Sequence, residues 1–126
     1  MGLRTLDAAQ AEALERLCEV IVPGSARVGP AAYIDAQLAG MPDQLRAGAI
    51  AAIERLGESA RGGAAAISEH ALTPDFLMLR AMAVEAFYSD FIAPGRETTG
   101  AWDEIDFHPP ATAALHKDWS YLGIDG

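Results

Sequence analysis

The sequence predicts an all-α protein: a small bundle of about five helices followed by an extended, aromatic C-terminal tail. Apolar residues make up 51% of the 126 residues. Many of them are alanine, which has the highest helix propensity, whereas the Val, Ile and Thr runs typical of strands are rare. Apolar side chains recur at helical spacing as far as Ala93. We therefore expect a helical bundle over residues 1–93 and a docking tail over residues 94–126, packed on the same single domain.

Capping signals and periodicity predict the first two helices. Asp7 is a suitable N-cap, and Gln10 occupies the reciprocal position of a capping box. The buried face that follows is expected to contain Leu14, Leu17, Cys18 and Ile21, and Pro23-Gly24 ends the helix. Pro30 begins a second helix that reaches about Ala39. Its inward face is predicted to be Tyr33, Ile34, Gln37 and Leu38.

Three further helices are predicted between Pro42 and Phe91. The third runs from Pro42 to about Leu56, with Gly57 as its stop, and the fourth is a short helix from Ala64 to Ala71 around Ile67. The third helix is expected to bury Leu45, Ala49, Ile53 and Leu56. Thr73-Pro74-Asp75 is a strong start signal for a fifth helix that reaches about Phe91.

The fifth helix is the most apolar, and it is expected to lie in the middle of the assembly. Apolar side chains cover about half of its circumference, which is wider than the stripe of a surface helix; they include Phe76, Leu77, Leu79, Ala83, Val84, Phe87, Tyr88 and Phe91. Arg80 lies inside this arc, so either a carboxylate or carbonyl partner or an extended path to water is expected for it. Met78 and Met82 are predicted on the opposite, polar edge, as flexible contact residues or as simply exposed ones.

Aromatic residues concentrate near the C-terminus. Tyr88, Trp102, Phe107, Trp119 and Tyr121 are candidate anchors of a partner interface, because interface energy is concentrated in a few buried aromatic side chains. Each of them could instead belong to the chain's own core, and for Tyr88 this alternative is favoured.

Charge and cysteine content exclude several classes of protein. The net charge of −9 makes nucleic acid and anionic membranes poor partners. The single cysteine, Cys18, excludes an internal disulfide framework, and its position predicts a buried thiol. No window resembles a membrane span or a secretory signal.

No motif in the sequence indicates an autonomous active site. The candidate metal ligands are Glu104, Asp106, His108 and His116, and they lack the spacing of a known metal site. Ser89, Ser120 and Cys18 have no neighbouring base and acid that would activate a nucleophile. We therefore expect no catalytic, cofactor-binding or metal-binding residues in this chain.

Two stretches of the chain resemble the gluconate 2-dehydrogenase subunit 3 family. The C-terminal third contains Phe87-Tyr88-Ser89-Asp90, then Pro94-Gly95, Trp102 and Ile105-Asp106-Phe107, which is similar to that family's signature. Leu6-Asp7-Ala8-Ala9-Gln10 and Ile21-Val22-Pro23-Gly24 are similar to its first helix and its stop. The middle of the chain matches poorly. Arg96-Glu97-Thr98 stands where the family often has a Gly-Gly-Asn-like loop, and Asp106 stands where it often has glycine.

The resemblance implies a non-catalytic small subunit that binds and stabilises a larger flavoprotein. That partner would be a glucose-methanol-choline-type sugar or alcohol dehydrogenase, and it would hold FAD and carry out the hydride transfer. The family's twin-arginine export signal is not seen here, so a cytoplasmic complex is expected, or a periplasmic one if a signal has been removed. The alternatives are a stand-alone helical adaptor or regulatory module, and an independent metal enzyme that uses His108 or His116.

Overall fold

A computed structural model describes residues 3–104 and 122–124, and within them every regular element is helical. The fold is a small all-α bundle with four helices of ten or more residues, α1 (Ala8–Ile21), α2 (Pro30–Ala39), α3 (Asp43–Ser59) and α5 (Pro74–Tyr88). Two short helices complete it, α4 (Gly63–Ser68) and α6 (Ala101–Glu104). Single 3₁₀ turns, Ser25–Val28 and Ala60–Gly62, precede α2 and α4.

Helix α1 begins and ends where its capping residues predict. The Asp7 carboxylate accepts from the Gln10 backbone N–H at 2.7 Å, and the Gln10 side chain accepts from the Asp7 N–H at 3.0 Å. This reciprocal pair satisfies two N–H groups that the first helical turn leaves without partners. At the other end, the Glu19 carboxylate accepts from the backbone N–H groups of Gly24 and Ala26, which fixes the turn into α2.

Helix α2 matches its predicted boundaries and carries a buried carboxylate that the sequence reading missed. Gly29 adopts the left-handed conformation with φ 69°, which turns the chain into Pro30 at the first helical position. Tyr33, Ile34 and Leu38 are buried as expected, and Gln37 is only half-buried. Asp35 is also buried, at 3% exposure.

The Asp35 carboxylate holds the segment that precedes α1. It accepts from the backbone N–H groups of Arg4, Thr5 and Leu6 at 2.7, 2.9 and 2.8 Å. Three N–H donors around one carboxylate satisfy a charge that would otherwise be costly to bury. This contact fixes the entry of the chain into the bundle.

Helix α3 corrects two predictions. It continues through Gly57 to Ser59, so Gly57 is not its stop. A Cβ atom at Gly57 would lie 2.7 Å from the Ala13 Cβ, so this glycine permits α1 and α3 to cross closely. Leu45 is 63% exposed rather than buried, because the first turn of α3 extends past the end of the core, whereas Ala49, Ile53 and Leu56 are buried as expected.

Helix α5 begins at the predicted cap and ends earlier than predicted. The Thr73 side-chain oxygen accepts from the Phe76 N–H at 3.3 Å. The helix ends at Tyr88 rather than near Phe91, because Asp90 adopts a left-handed conformation with φ 63° and reverses the chain. Phe91 then packs edge-on against Tyr33, with ring centroids 5.2 Å apart.

The described part of the segment after Ala93 packs on the bundle. Arg96 pairs with Glu15 of α1 at 3.4 Å and donates to the Ala26 carbonyl at 3.0 Å. Ala101 and Ile124 are buried against the bundle. The short α6 was not predicted from the sequence, and the expected helix from Ala111 to about His116 lies outside the described residues.

Candidate partner interface

Helix α5 presents an apolar stripe to solvent. Leu77, Ala81, Val84 and Tyr88 are separated by four, three and four residues, so they lie on one helical face. Leu77 is 50% exposed and Tyr88 51% exposed, while Ala81 is exposed and Val84 half-buried. We call these four residues the α5 stripe.

The opposite face of α5 faces the core. It packs against α1, α2 and α3, and its buried residues are Phe76, Leu79, Met82, Ala83, Ala86 and Phe87. These contacts, together with that to α6, agree with the expectation that α5 lies in the middle of the assembly. Its apolar arc is nevertheless incompletely covered by the described chain, because Leu77 and Tyr88 remain half-exposed. A helix that is apolar on both faces is typical of a buried position. The packing of the described bundle therefore does not fully account for the apolar side chains on the exposed face of α5.

A tight joint fixes the C-terminal end of the α5 stripe. The indole Nε1–H of Trp102 donates to the Tyr88 carbonyl at 3.2 Å, and the Asp90 carboxylate accepts from the Trp102 backbone N–H at 3.1 Å. The buried Asp90 carboxylate therefore caps the first turn of α6. A Cβ at Gly100 would lie 2.1 Å from the Asp90 Oδ1 atom, so only glycine fits beside it.

This joint gives a structural role to several residues of the family-like motif. Phe87 is buried in a small cluster with Val22, Val28 and Ala101, and its ring meets that of Tyr88 edge-on at 5.0 Å. The Arg27 guanidinium lies 5.3 Å from the centroid of the Phe87 ring. The motif therefore orders the end of α5, and it leaves the Tyr88 ring half-exposed beside Trp102.

The predicted interface residues differ in their exposure to solvent. Tyr88 is exposed rather than part of the core, and Trp102 is half-buried next to it. Met82 is a core residue at 8% exposure, so its prediction on an exposed edge is wrong; it lies on the flank of α5 that faces the bundle. Met78 is half-buried and packs against the same core. The other predicted anchors, Phe107, Trp119 and Tyr121, lie outside the described residues.

Arg80 flanks the α5 stripe and is exposed. Of its two expected environments, the structure shows the open one: within residues 3–104 and 122–124 its guanidinium has neither a carboxylate nor a carbonyl partner. On the other flank, Glu85 accepts from the Gln37 side-chain amide. Among the residues that the structure describes, the α5 stripe therefore has one engaged edge and one edge at which the Arg80 guanidinium is unpaired.

The chemically reactive side chains of the described chain are occupied or buried. Burial, together with the charges of Glu15 and Glu19, raises the pKa of Cys18 to about 12, so its thiol is protonated at neutral pH. The Ser89 hydroxyl donates to the Ala86 carbonyl. Ser59 and His70 approach to 3.4 Å, but no carboxylate within the described ranges orients that histidine.

Residues 3–104 and 122–124 contain no group of three or more His, Cys, Asp or Glu side chains that could hold a metal ion. Of the predicted ligands, Asp106, His108, His116 and the side chain of Glu104 lie outside the described part of the chain, as does Ser120. The same ranges contain no helix that is long and apolar enough to cross a membrane.

A cavity of about 580 Å³ lies between α1, α2 and the segment around Arg96. Alanine is the commonest residue of its lining, and two of its acidic side chains are engaged within the chain: Asp35 accepts three backbone N–H groups, and Glu15 pairs with Arg96. Asp35 and Arg96 therefore serve the fold at this cavity.

Comparisons with known proteins gave no match, whether to protein-family models, curated proteins or solved structures. The resemblance to the gluconate 2-dehydrogenase subunit 3 family thus rests on the residues quoted from the sequence.

Proposed function

We propose that this chain is a non-catalytic helical subunit that binds and stabilises a larger FAD-dependent dehydrogenase of the glucose-methanol-choline type. The α5 stripe is the observation that carries the binding role, because the described part of the fold leaves the Leu77 and Tyr88 side chains half-exposed to water. The identity of the partner comes from the family resemblance, which also assigns FAD and the hydride transfer to the larger subunit.

The geometry of the α5 stripe suits the centre of an interface. Leu77 and Tyr88 are eleven positions apart, which corresponds to about 16 Å of helix. A standard interface buries about 800 Å² on each partner, so neighbouring surface must also take part. Tyr88 and the adjacent Trp102 supply the aromatic groups that typically dominate binding energy.

Binding at this stripe would stabilise the partner without adding chemistry. A subunit that binds only the folded state of a protein stabilises that state by mass action. The hydrogen bonds from Trp102 and to Asp90 hold the end of α5 in place before binding, so less conformational entropy is lost when the complex forms.

Co-expression tests the proposal. The chain is produced together with a candidate FAD-dependent dehydrogenase of the glucose-methanol-choline type, and size-exclusion chromatography is followed at the protein and flavin absorbances. We expect a yellow complex that contains both chains. A colourless monomer, separate from the flavoprotein, would contradict the proposal and would favour the stand-alone adaptor.

A matched pair of leucine variants tests the docking surface. Leu77 and Leu45 are both exposed, at 50% and 63%, but they lie on different helices. Leu77→Asp should abolish co-elution with the flavoprotein because it places a charge at the N-terminal end of the α5 stripe. Leu45→Asp should co-elute as the unmodified chain does. Equal behaviour of the two variants would show that α5 is not the docking surface.

A further inference from the structure

We infer that the partner presents a carboxylate to Arg80 at the edge of the α5 stripe, so that this ion pair sets the orientation of the complex. The inference rests on the proposed function and deepens it by specifying the chemistry of the partner's surface. The occupant is the larger flavoprotein subunit, and its contact surface is apolar with an acidic group at one edge.

Arg80 differs from the other arginines of the chain in its hydrogen-bond partners. The chain carries 18 acidic and 9 basic side chains, so carboxylates are abundant. Every other arginine donates to a carboxylate or to a backbone carbonyl; examples of the carboxylate pairs are Arg46–Asp43, Arg55–Asp75 and Arg61–Glu58. Among the residues that the structure describes, Arg80 alone of the arginines has no such partner.

Arg80 lies close to the α5 stripe on the helix surface. At about 100° per residue, its side chain leaves the helix about 40° from Val84 and about 60° from Leu77. A partner that covers the α5 stripe must therefore also approach the guanidinium. A partly desolvated cation without an acceptor would weaken binding, whereas a carboxylate at that point would strengthen binding and fix its register.

The two edges of the α5 stripe carry different charges. Glu85, on the opposite edge, already accepts from the Gln37 amide. A partner would therefore meet, on one side, a guanidinium that no described residue pairs, and on the other an engaged carboxylate. This charge pattern distinguishes one orientation of a docked surface from the reversed one.

The test measures the dissociation constant of the complex between the full chain and the flavoprotein for a series of Arg80 variants. Arg80→Glu should weaken binding at least about thirtyfold, Arg80→Gln about tenfold, and Arg80→Lys by no more than about threefold because it retains the charge. Arg61→Glu, the same reversal in the turn after α3, should change binding by less than about twofold. Arg80 is exposed, so thermal unfolding should show that each variant stays folded.

Salt dependence provides a readout that a purely structural role would not change. Binding of the unmodified chain should weaken as NaCl is raised from about 50 to about 300 mM, because salt screens the ion pair more strongly over this range. Arg80→Gln should flatten that dependence. If Arg80→Glu binds as tightly as the unmodified chain while Leu77→Asp does not bind, the ion pair is refuted and the subunit role stands. If the unmodified chain forms no complex, or if Leu77→Asp binds normally, the docking proposal and this inference both fail. A self-associated form of the isolated chain that Arg80→Glu disrupts would assign the carboxylate to a second copy and overturn the inference.

Discussion

The buried carboxylate of Asp35 provides the sharpest stability prediction, because it holds Arg4, Thr5 and Leu6 through three backbone hydrogen bonds. Asp35→Ala removes all three acceptor contacts. Hydrogen bonds to a charged group contribute about 1.5–3 kcal/mol each, but water can reach part of this segment, so we expect a loss of about 3–5 kcal/mol in the free energy of unfolding. Asp35→Asn keeps one acceptor oxygen and turns an N–H donor toward another donor, so it should cost about 1.5–3 kcal/mol.

Urea denaturation followed by circular dichroism measures these losses. Asp43→Asn is the control, because its side chain is 94% exposed and should change the free energy of unfolding by less than about 0.5 kcal/mol. Amide exchange at Thr5 and Leu6 should also accelerate in the Asp35 variants. If Asp35→Ala unfolds at the same urea concentration as the unmodified chain, the carboxylate does not anchor the N-terminal segment.

Two further predictions concern α1 and α3. Gly57→Ala should destabilise the fold by about 1–3 kcal/mol, because the new methyl group would meet Ala13; Gly48→Ala, in the same helix with open space around it, should instead stabilise by about 0.5–1 kcal/mol in urea titrations. Equal effects at the two glycines would contradict the close crossing. Cys18 should resist thiol reagents at pH 8 until urea unfolds the chain. Since its folded pKa is raised from 9.0 to about 12, its contribution to stability is complete below pH 9 and should be lost as the pH rises toward 12, a trend that Cys18→Ala should lack; rapid labelling of the native thiol would refute its burial.

Local signals predicted much of the bundle because its helix ends are determined by neighbouring residues. The capping box at Asp7, the proline at the start of α2 and the cap at Thr73 each act within one turn, and all three predictions were confirmed. The all-α class followed from the same signals together with the scarcity of strand-forming runs.

The wrong predictions concern residues whose roles depend on distant parts of the chain. Gly57 resembles a helix stop in sequence, but it lies inside α3 because α1 crosses there. Asp90 ends α5 and caps α6 across the intervening loop, which no local pattern indicates. Met82 appeared to lie on a polar edge, but the bundle covers that edge.

The proposed docking surface was anticipated from the sequence only in part. Tyr88 and Trp102 were predicted as candidate aromatic anchors, and they lie next to each other at one end of α5. Leu77 was predicted only as part of the wide apolar arc of α5, because periodicity shows that a side chain is apolar but not which of two apolar faces the bundle covers. The spacing of Leu77, Ala81, Val84 and Tyr88 contained the signal, because an apolar stripe opposite a complete core face indicates a second contact.

Side-chain footprinting with hydroxyl radicals tests the central claim most directly, because it reports solvent access at individual residues. The oxidation rates of Leu77 and Tyr88 are compared in the isolated chain and in its complex with the flavoprotein, with Leu45 as an internal reference. We predict that complex formation strongly protects Leu77 and Tyr88 and leaves Leu45 unchanged. Equal oxidation of Leu77 and Tyr88 in the free and bound chain would contradict the claim that the α5 stripe is the docking surface.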